Sequence, residues 1–299
     1  MLLPSSPDEL NDLLLTMAAA GDAAAIRSLL EAGADPAYVD ETADNPRTAF
    51  LEAANLSVDL PECLEALLPV SDPEARDKNG NTALMLAAAR GNLESMALLM
   101  PHGDLEAVNH QGTTALHCAV IAGSANRIAA ARMLADAMAT LDQPQENGRT
   151  ALHSAVFFGA DDLVEILLPR SDPLAQDGAG STPYMIAILC DDADQNWIRA
   201  LEPLSDQAVV NNNGDCALDI AVSVEQWATA DRLAPKSPRD RAQAAFLVAG
   251  AENMPGWAAV VESEVLGAEV AAVSNATRSL ASNGGALSRS APNRKPRAL

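Results

Sequence analysis

Histidine and cysteine are the side chains of this chain that could bind a metal or act as catalytic nucleophiles and bases. The sequence has four of each, and His117, Cys118 and His153 come nearest to a shared site. Adjacent residues on a helix diverge by about 100°, so Cys118 points away from His117. Helices packed in successive layers lie about 8 to 10 Å apart, which is too far for the two histidines to share one zinc ion. We therefore expect no metal site.

Motifs of other catalytic or cofactor sites are also missing from the sequence. There is no GxxxxGK phosphate loop, no HExxH or GxSxG motif, and no pair of cysteines at zinc spacing. The glycine-rich DGAGSTP segment at Asp177 falls in register with repeated turns. Acidic pairs such as Asp161 and Asp162 fall at predicted helix starts, where carboxylates favour the helix dipole. We expect no catalytic residue and no cofactor, with an enzyme of unrecognised site as an alternative.

One seven-residue pattern returns throughout the chain and indicates internal repeats. The copies are GNTALML at Gly80, GTTALHC at Gly112, GRTALHS at Gly148, GSTPYMI at Gly180 and GDCALDI at Gly214. From Thr48 of PRTAFLE onward, the residues aligned with Thr82 are separated by 34, 32, 36, 32 and 34 residues. A period near 33 is typical of stacked helical hairpins, each of which needs a neighbour to bury its apolar face. Such a chain is expected to function by binding.

Each repeat predicts a turn followed by two helices. In residues 78–101, the KNG segment is typical of a turn. Thr82 is positioned to cap a first helix, on which Leu84 faces the core. Gly91 ends that helix by accepting a left-handed backbone. A second helix then returns and stops at Pro101.

These motifs closely resemble the ankyrin-repeat family. GTTALHCAVIAG at Gly112 matches the first half of the family pattern, and LLEAGADP at Leu29 matches the second half almost letter for letter. The resemblance covers residues 9 to about 235 and implies an all-α, ankyrin-type helical repeat solenoid with divergent terminal caps. It also implies that His117 and His153 hydrogen-bond backbone between neighbouring units.

The repeat register predicts the domain organisation. Two departures from the family pattern stand out: prolines such as Pro69 and Pro169 follow the second helices, and the fourth unit has room for an outer helix from Ala125 to about Thr140, one turn longer than its neighbours. The turn at CDDADQ in the sixth unit is the least regular. We expect a solenoid over 8–235, a helical cap over 236–274 and a disordered basic tail over 275–299. The predicted units are 8–41, 46–79, 80–111, 112–147, 148–179, 180–213 and 214–235.

The charge of the chain argues against nucleic acid as a partner. The formal net charge is −22, and the last 25 residues hold five basic and no acidic side chains, so the rest carries −27. Binding of the phosphates of a nucleic acid needs a surface rich in lysine and arginine. No stretch is long and apolar enough to predict a membrane span. Scattered cysteines without a signal peptide predict a cytoplasmic protein.

The family resemblance implies that a protein partner meets the turn tips and the exposed side of the first helices, which line a concave face. Adjacent helix positions diverge, so at least one of Phe157 and Phe158 should face this groove. The alternative is that a long outer helix or the C-terminal segment covers these residues. A different function class also stays open: an inhibitor or regulatory subunit of an enzyme or toxin, or a secreted bacterial effector. The predicted partner-binding residues are Leu86, Arg90, Ile121, Phe157, Phe158 and Leu189.

Overall fold

The computed structural model describes residues 6–42, 46–190, 196–206, 208–224 and 226–233. Every regular element in these ranges is a helix. The predicted cap at 236–274, the predicted tail at 275–299 and most of the CDDADQ turn lie outside the described residues. The helices are α1 (Pro7–Ala20), α2 (Ala23–Glu31), α3 (Ala49–Ala54), α4 (Pro61–Leu67), α5 (Ala83–Arg90), α6 (Leu93–Leu99), α7 (Ala115–Ile121), α8 (Arg127–Ala137), α9 (Ala151–Phe157), α10 (Asp161–Leu167), α11 (Pro183–Leu189), α12 (Asn196–Leu201), α13 (Ala217–Ser223) and α14 (Trp227–Leu233).

The chain divides into two compact units, Met1–Ile220 and Ala221–Leu299. Among the described residues, the second unit contains the end of α13 and the whole of α14. Its Ala230 and Leu233 are buried. The first unit contains the stacked hairpins.

Within the first unit the odd-numbered helices α3 to α11 stack against one another, and the even-numbered helices from α4 to α10 pack beside them as an outer layer. We call these the inner and outer helices. Inner helices are rich in alanine and leucine, which lets neighbouring helices approach closely. The predicted core positions Leu84 and Leu152 are buried, as are larger side chains such as Phe50 and Tyr184.

Threonine starts the inner helices as the sequence predicts. The hydroxyl oxygen of Thr82 accepts a hydrogen bond from the backbone N–H of Met85 at 3.4 Å, and Thr182 does the same for Met185 at 3.3 Å. This cap satisfies an N–H that has no partner inside the helix. Gly91 ends α5 with a φ of 73°, which confirms its predicted left-handed conformation.

Proline sets the end of the outer helices. Helices α4, α6, α10 and α12 all end two residues before a proline, which has no backbone N–H to continue the helical hydrogen bonds. After three of these helices the chain tightens into a 3₁₀ turn, for example at Leu68–Val70. Helix α8 has 11 residues against seven in α6 and α10, which confirms the longer outer helix of the fourth unit. Its bounds are narrower than the predicted 125–140.

Candidate functional site

A ladder of backbone hydrogen bonds joins the turn tips of successive units. Each tip carbonyl accepts from an N–H of the next tip, so the tips form a continuous wall. The bonds run from His110 to Asn79 (3.0 Å), Glu146 to Gln111 (2.9 Å), Gly178 to Asn147 (2.7 Å) and Asn212 to Ala179 (2.9 Å), with the donor named first.

Glycine in these turns is needed for the ladder as well as for the backbone angle. Gly148 has a φ of 74°, a conformation that L side chains rarely adopt. A Cβ atom added there would lie 2.5 Å from the backbone nitrogen of Gly178 in the next turn. Any side chain at this position would therefore push two units apart, and the same close approach explains the glycines at positions 80, 112 and 180.

Ion pairs connect two of the turns to the unit before them. Arg47 lies 3.4 Å from the carboxylate of Asp77, and Nε of Arg149 lies 3.5 Å from that of Asp177. Burial raises the pKa of Asp77, but hydrogen bonds from the Asn81 and Asn79 backbone and the nearby Arg47 outweigh it and leave the pKa below its usual value. The carboxylate is therefore charged and holds its turn closed.

An open groove of about 850 Å³ lies between the turn wall and the inner helices. The turn tips contribute Asn79, His110 and Glu146, and the helices contribute Cys118 and Ile121. The groove thus has a polar wall and an apolar floor. A site of this composition can bind an amphipathic surface of another macromolecule.

Four exposed apolar side chains lie at the ends of the inner helices of three successive units, nearest the outer helices. Three of them are the last residues of α7, α9 and α11, and Phe158 directly follows α9. Their exposed fractions are 44% for Ile121, 47% for Phe157, 49% for Phe158 and 51% for Leu189. We call these four residues the apolar row. Ile121, Phe157 and Leu189 each lie seven residues after the capping threonine of their unit, so they occupy equivalent positions.

The two phenylalanines of the apolar row are held in a defined arrangement. Their ring centroids are 5.3 Å apart, with an interplanar angle of 83°, which is a favourable edge-to-face contact. Cζ of Arg149 lies 4.9 Å from the centroid of Phe157, within the range of a cation–π interaction. Both phenylalanines are about half exposed, so neither is buried in the core of the stack.

The predicted exposure of Leu86 is wrong. Its side chain is only 6% exposed, and the equivalent Ser154 and Ile186 are buried as well. These residues lie four positions after the capping threonine, where an inner helix is enclosed by the inner helices on either side. Cys118 is the exception at this position, since it is partly exposed and lines the groove. The last turn of an inner helix is more open. Arg90 lies in that last turn and is exposed, with its Nε donating to Oδ1 of Asn55 at 3.1 Å.

The two repeat histidines have structural contacts. Nδ1 of His117 accepts from the backbone N–H of Thr114 at 3.4 Å, and Nδ1 of His153 accepts from that of Thr150 at 3.2 Å. Burial lowers the pKa of His117 to about 4, and it also lowers the pKa of His153. Both rings are therefore neutral at pH 7. Within the described ranges, no group of three His, Cys, Asp or Glu side chains is arranged to hold a metal ion.

The cysteines are poor nucleophiles in this fold. Burial raises the pKa of Cys118 to about 12, and it also raises that of Cys63, Cys190 and Cys216. A thiol must lose its proton to attack a substrate or bind a metal. None of these four side chains is activated for covalent chemistry.

The sequence pattern does not point to Arg149 as part of this surface. Its contact with Phe157 spans eight residues and depends on how the turn folds back over the end of the helix. The only local signal is that Arg149 precedes a capping threonine, as Arg47 does in the second unit.

Across the described ranges, no helix has the length and apolar character needed to cross a bilayer.

Stacked helical hairpins with a turn wall and an open groove define a helical-repeat binding scaffold. Residues 14–109, 50–142 and 108–177 each match the ankyrin repeat family, described as ankyrin repeats in three copies. The chain belongs to the ankyrin repeat family. Ankyrin repeats are general protein–protein interaction modules, and the family is typically non-catalytic.

The fold is similar to a solved ankyrin structure. That structure is the crystal structure of the ankyrin repeat domain of Bcl-3, described as a unique member of the IkappaB protein family. The TM-score is 0.57 at 24% sequence identity, and the match covers 73% of this chain and 94% of that chain. At this identity the similarity concerns the fold.

Proposed function

We propose that this protein binds another protein or a peptide through the groove and the apolar row, without catalysis. The observation that carries this proposal is the exposure of equivalent apolar side chains, Ile121, Phe157 and Leu189, on three successive units. Contiguous apolar surface is costly in water and commonly marks an interaction site. The pair Phe157 and Phe158 makes the apolar row suitable for the centre of an interface, since large aromatic side chains often dominate the binding energy.

The surrounding structure supports binding by a preformed surface. The turn tips are held by the backbone ladder, and Arg149 is held between Phe157 and Asp177. A surface that is already ordered loses little conformational entropy when its partner binds. The proposed partner is a protein, because the excess of acidic side chains opposes binding of nucleic acid. Covalent chemistry is not part of the proposal, because the pKa values of the thiols are raised. A cytoplasmic location is proposed from the scattered, unpaired cysteines.

Site-specific photo-crosslinking in the native host tests this function. A photoreactive phenylalanine analogue replaces Leu189 in the apolar row, and in a matched control it replaces Val70, which is equally exposed but follows an outer helix. We expect a crosslinked protein from position 189 that is missing from position 70. Equal crosslinking at both positions, or none at position 189, would contradict the proposed site.

A further inference from the structure

We propose that the partner segment seated on the apolar row is a basic amphipathic α-helix that lies along the stacking direction. This inference rests on the proposed function and specifies the chemistry of its partner. Three features of the site carry it: the spacing of the row, the hydrogen-bonding groups around it and the charges that border it.

The repeat geometry of the apolar row is compatible with a helix. Equivalent residues on neighbouring units are expected one helix-packing distance apart, about 8 to 10 Å. Seven residues of an α-helix rise about 10.5 Å and return to the same face, so apolar side chains seven residues apart can contact Ile121, Phe157 and Leu189 in turn. A β-strand returns to the same face at about 6.7 or 13 Å, and neither distance fits.

The hydrogen-bonding groups of the site also favour a helix. The side chains of the apolar row have no donors or acceptors. Along the wall, the N–H groups of His110 and Glu146 are already donated to the preceding turn tip. An extended or polyproline segment over the row would leave its own backbone groups without partners, which is costly. A helix satisfies these groups internally.

The charges beside the row call for a basic partner. Asp161 and Asp162 begin three residues after Phe158, and both are exposed at the start of α10. Glu146 is exposed in the wall of the groove whose floor includes Ile121. None of these three carboxylates forms an ion pair with the described residues. They are free to pair with lysine or arginine of a partner, which also steers association.

The nearby cations do not cancel this charge. Arg149 is paired with Asp177, so the carboxylate of Asp177 offsets its positive charge. Arg90 and Arg127 belong to the third and fourth units, at the Ile121 end of the row. The exposed pair Asp161 and Asp162, which follows Phe158 in the middle of the row, is therefore the main site for the basic residues of the partner helix.

A displayed peptide set tests the chemistry of the partner. Each peptide has about 21 residues, an apolar residue at every seventh position and a free choice of Lys, Glu, Gln or Ala elsewhere. A second set of proline-rich peptides with the same apolar residues is displayed in parallel. The full chain should retain lysine-rich helical peptides, and their binding should weaken at least about fivefold when salt is raised from about 50 to 300 mM.

Charge variants connect this selection to the named carboxylates. The pair Asp161→Asn and Asp162→Asn should weaken the retained peptides at least about fivefold. The matched control is Glu62→Gln and Glu65→Gln, which removes two exposed charges from the outer helix of the second unit. Retention of glutamate-rich or proline-rich peptides, retention of none, or equal loss in both pairs would overturn the proposal. A crosslink at Leu189 alongside any of these results would leave the proposed function standing and reject the basic helix alone.

Discussion

Nε2 of His153 lies 3.1 Å from the carbonyl oxygen of Ser181 in the next unit. Because Nδ1 of the same ring accepts the Thr150 N–H, the proton of the neutral ring is on Nε2, which donates to that carbonyl. One imidazole therefore caps its own helix and connects two repeats, which agrees with the structural role that the family resemblance implies.

Burial of the two repeat histidines should make the folded state less stable in mild acid. The folded-state pKa of His117 is about 4, against 6.5 for an ordinary histidine, and that of His153 is also lowered. Between pH 6.5 and 4 the unfolded chain therefore binds protons that the folded chain does not, so the free energy of unfolding falls as pH falls. We expect His117 alone to contribute a loss on the order of 3 kcal/mol by pH 4. Urea denaturation across this pH range measures it.

The matching variant for this pH effect is His117→Gln, since glutamine can keep the capping contact to the Thr114 N–H but does not titrate. Its free energy of unfolding should depend less steeply on pH between 6.5 and 4 than that of the wild type. An unchanged slope would show that His117 is not the responsible group.

Truncation of a leucine to alanine should lower the free energy of unfolding more at a buried position than at an exposed position on the neighbouring inner helix. Leu152 is fully buried in α9, and Leu152→Ala should lower the free energy of unfolding by about 2 to 5 kcal/mol. Leu189→Ala removes the same atoms from an exposed site and should cost less than about 1 kcal/mol. Similar losses in the two variants would contradict the assigned burial.

The turn glycines should be intolerant of even one added methyl group. Gly148→Ala forces a left-handed residue with a Cβ against the backbone of Gly178, and we expect a cost above about 1 to 2 kcal/mol. Gly123 has no heavy atom within 4 Å of an added Cβ and no left-handed backbone, so Gly123→Ala is the control. Thermal unfolding of the two variants measures the difference, and equal midpoints would argue against the packed turn ladder.

The sequence predicts the parts of this fold that depend on local chemistry. Threonine caps, left-handed glycines and proline-terminated helices follow from the conformational preferences of single residues, and Thr82, Gly91 and Pro101 lie where the register places them. Burial of Leu86 could not be predicted in the same way, because it depends on how closely neighbouring helices pack. The contact of Arg149 with Phe157 also depends on tertiary structure, since it requires the folded path of the turn.

The most direct test of the proposed binding site is the affinity of the protein crosslinked at Leu189 for the Phe157→Ser, Phe158→Ser double variant. Both side chains are about half exposed, so circular dichroism should show an unchanged helix content. By isothermal titration calorimetry we predict a loss of about 2 kcal/mol or more in binding free energy, or roughly 30-fold in Kd. An unchanged Kd, or a double variant that unfolds, would contradict the assignment of the apolar row as the binding surface.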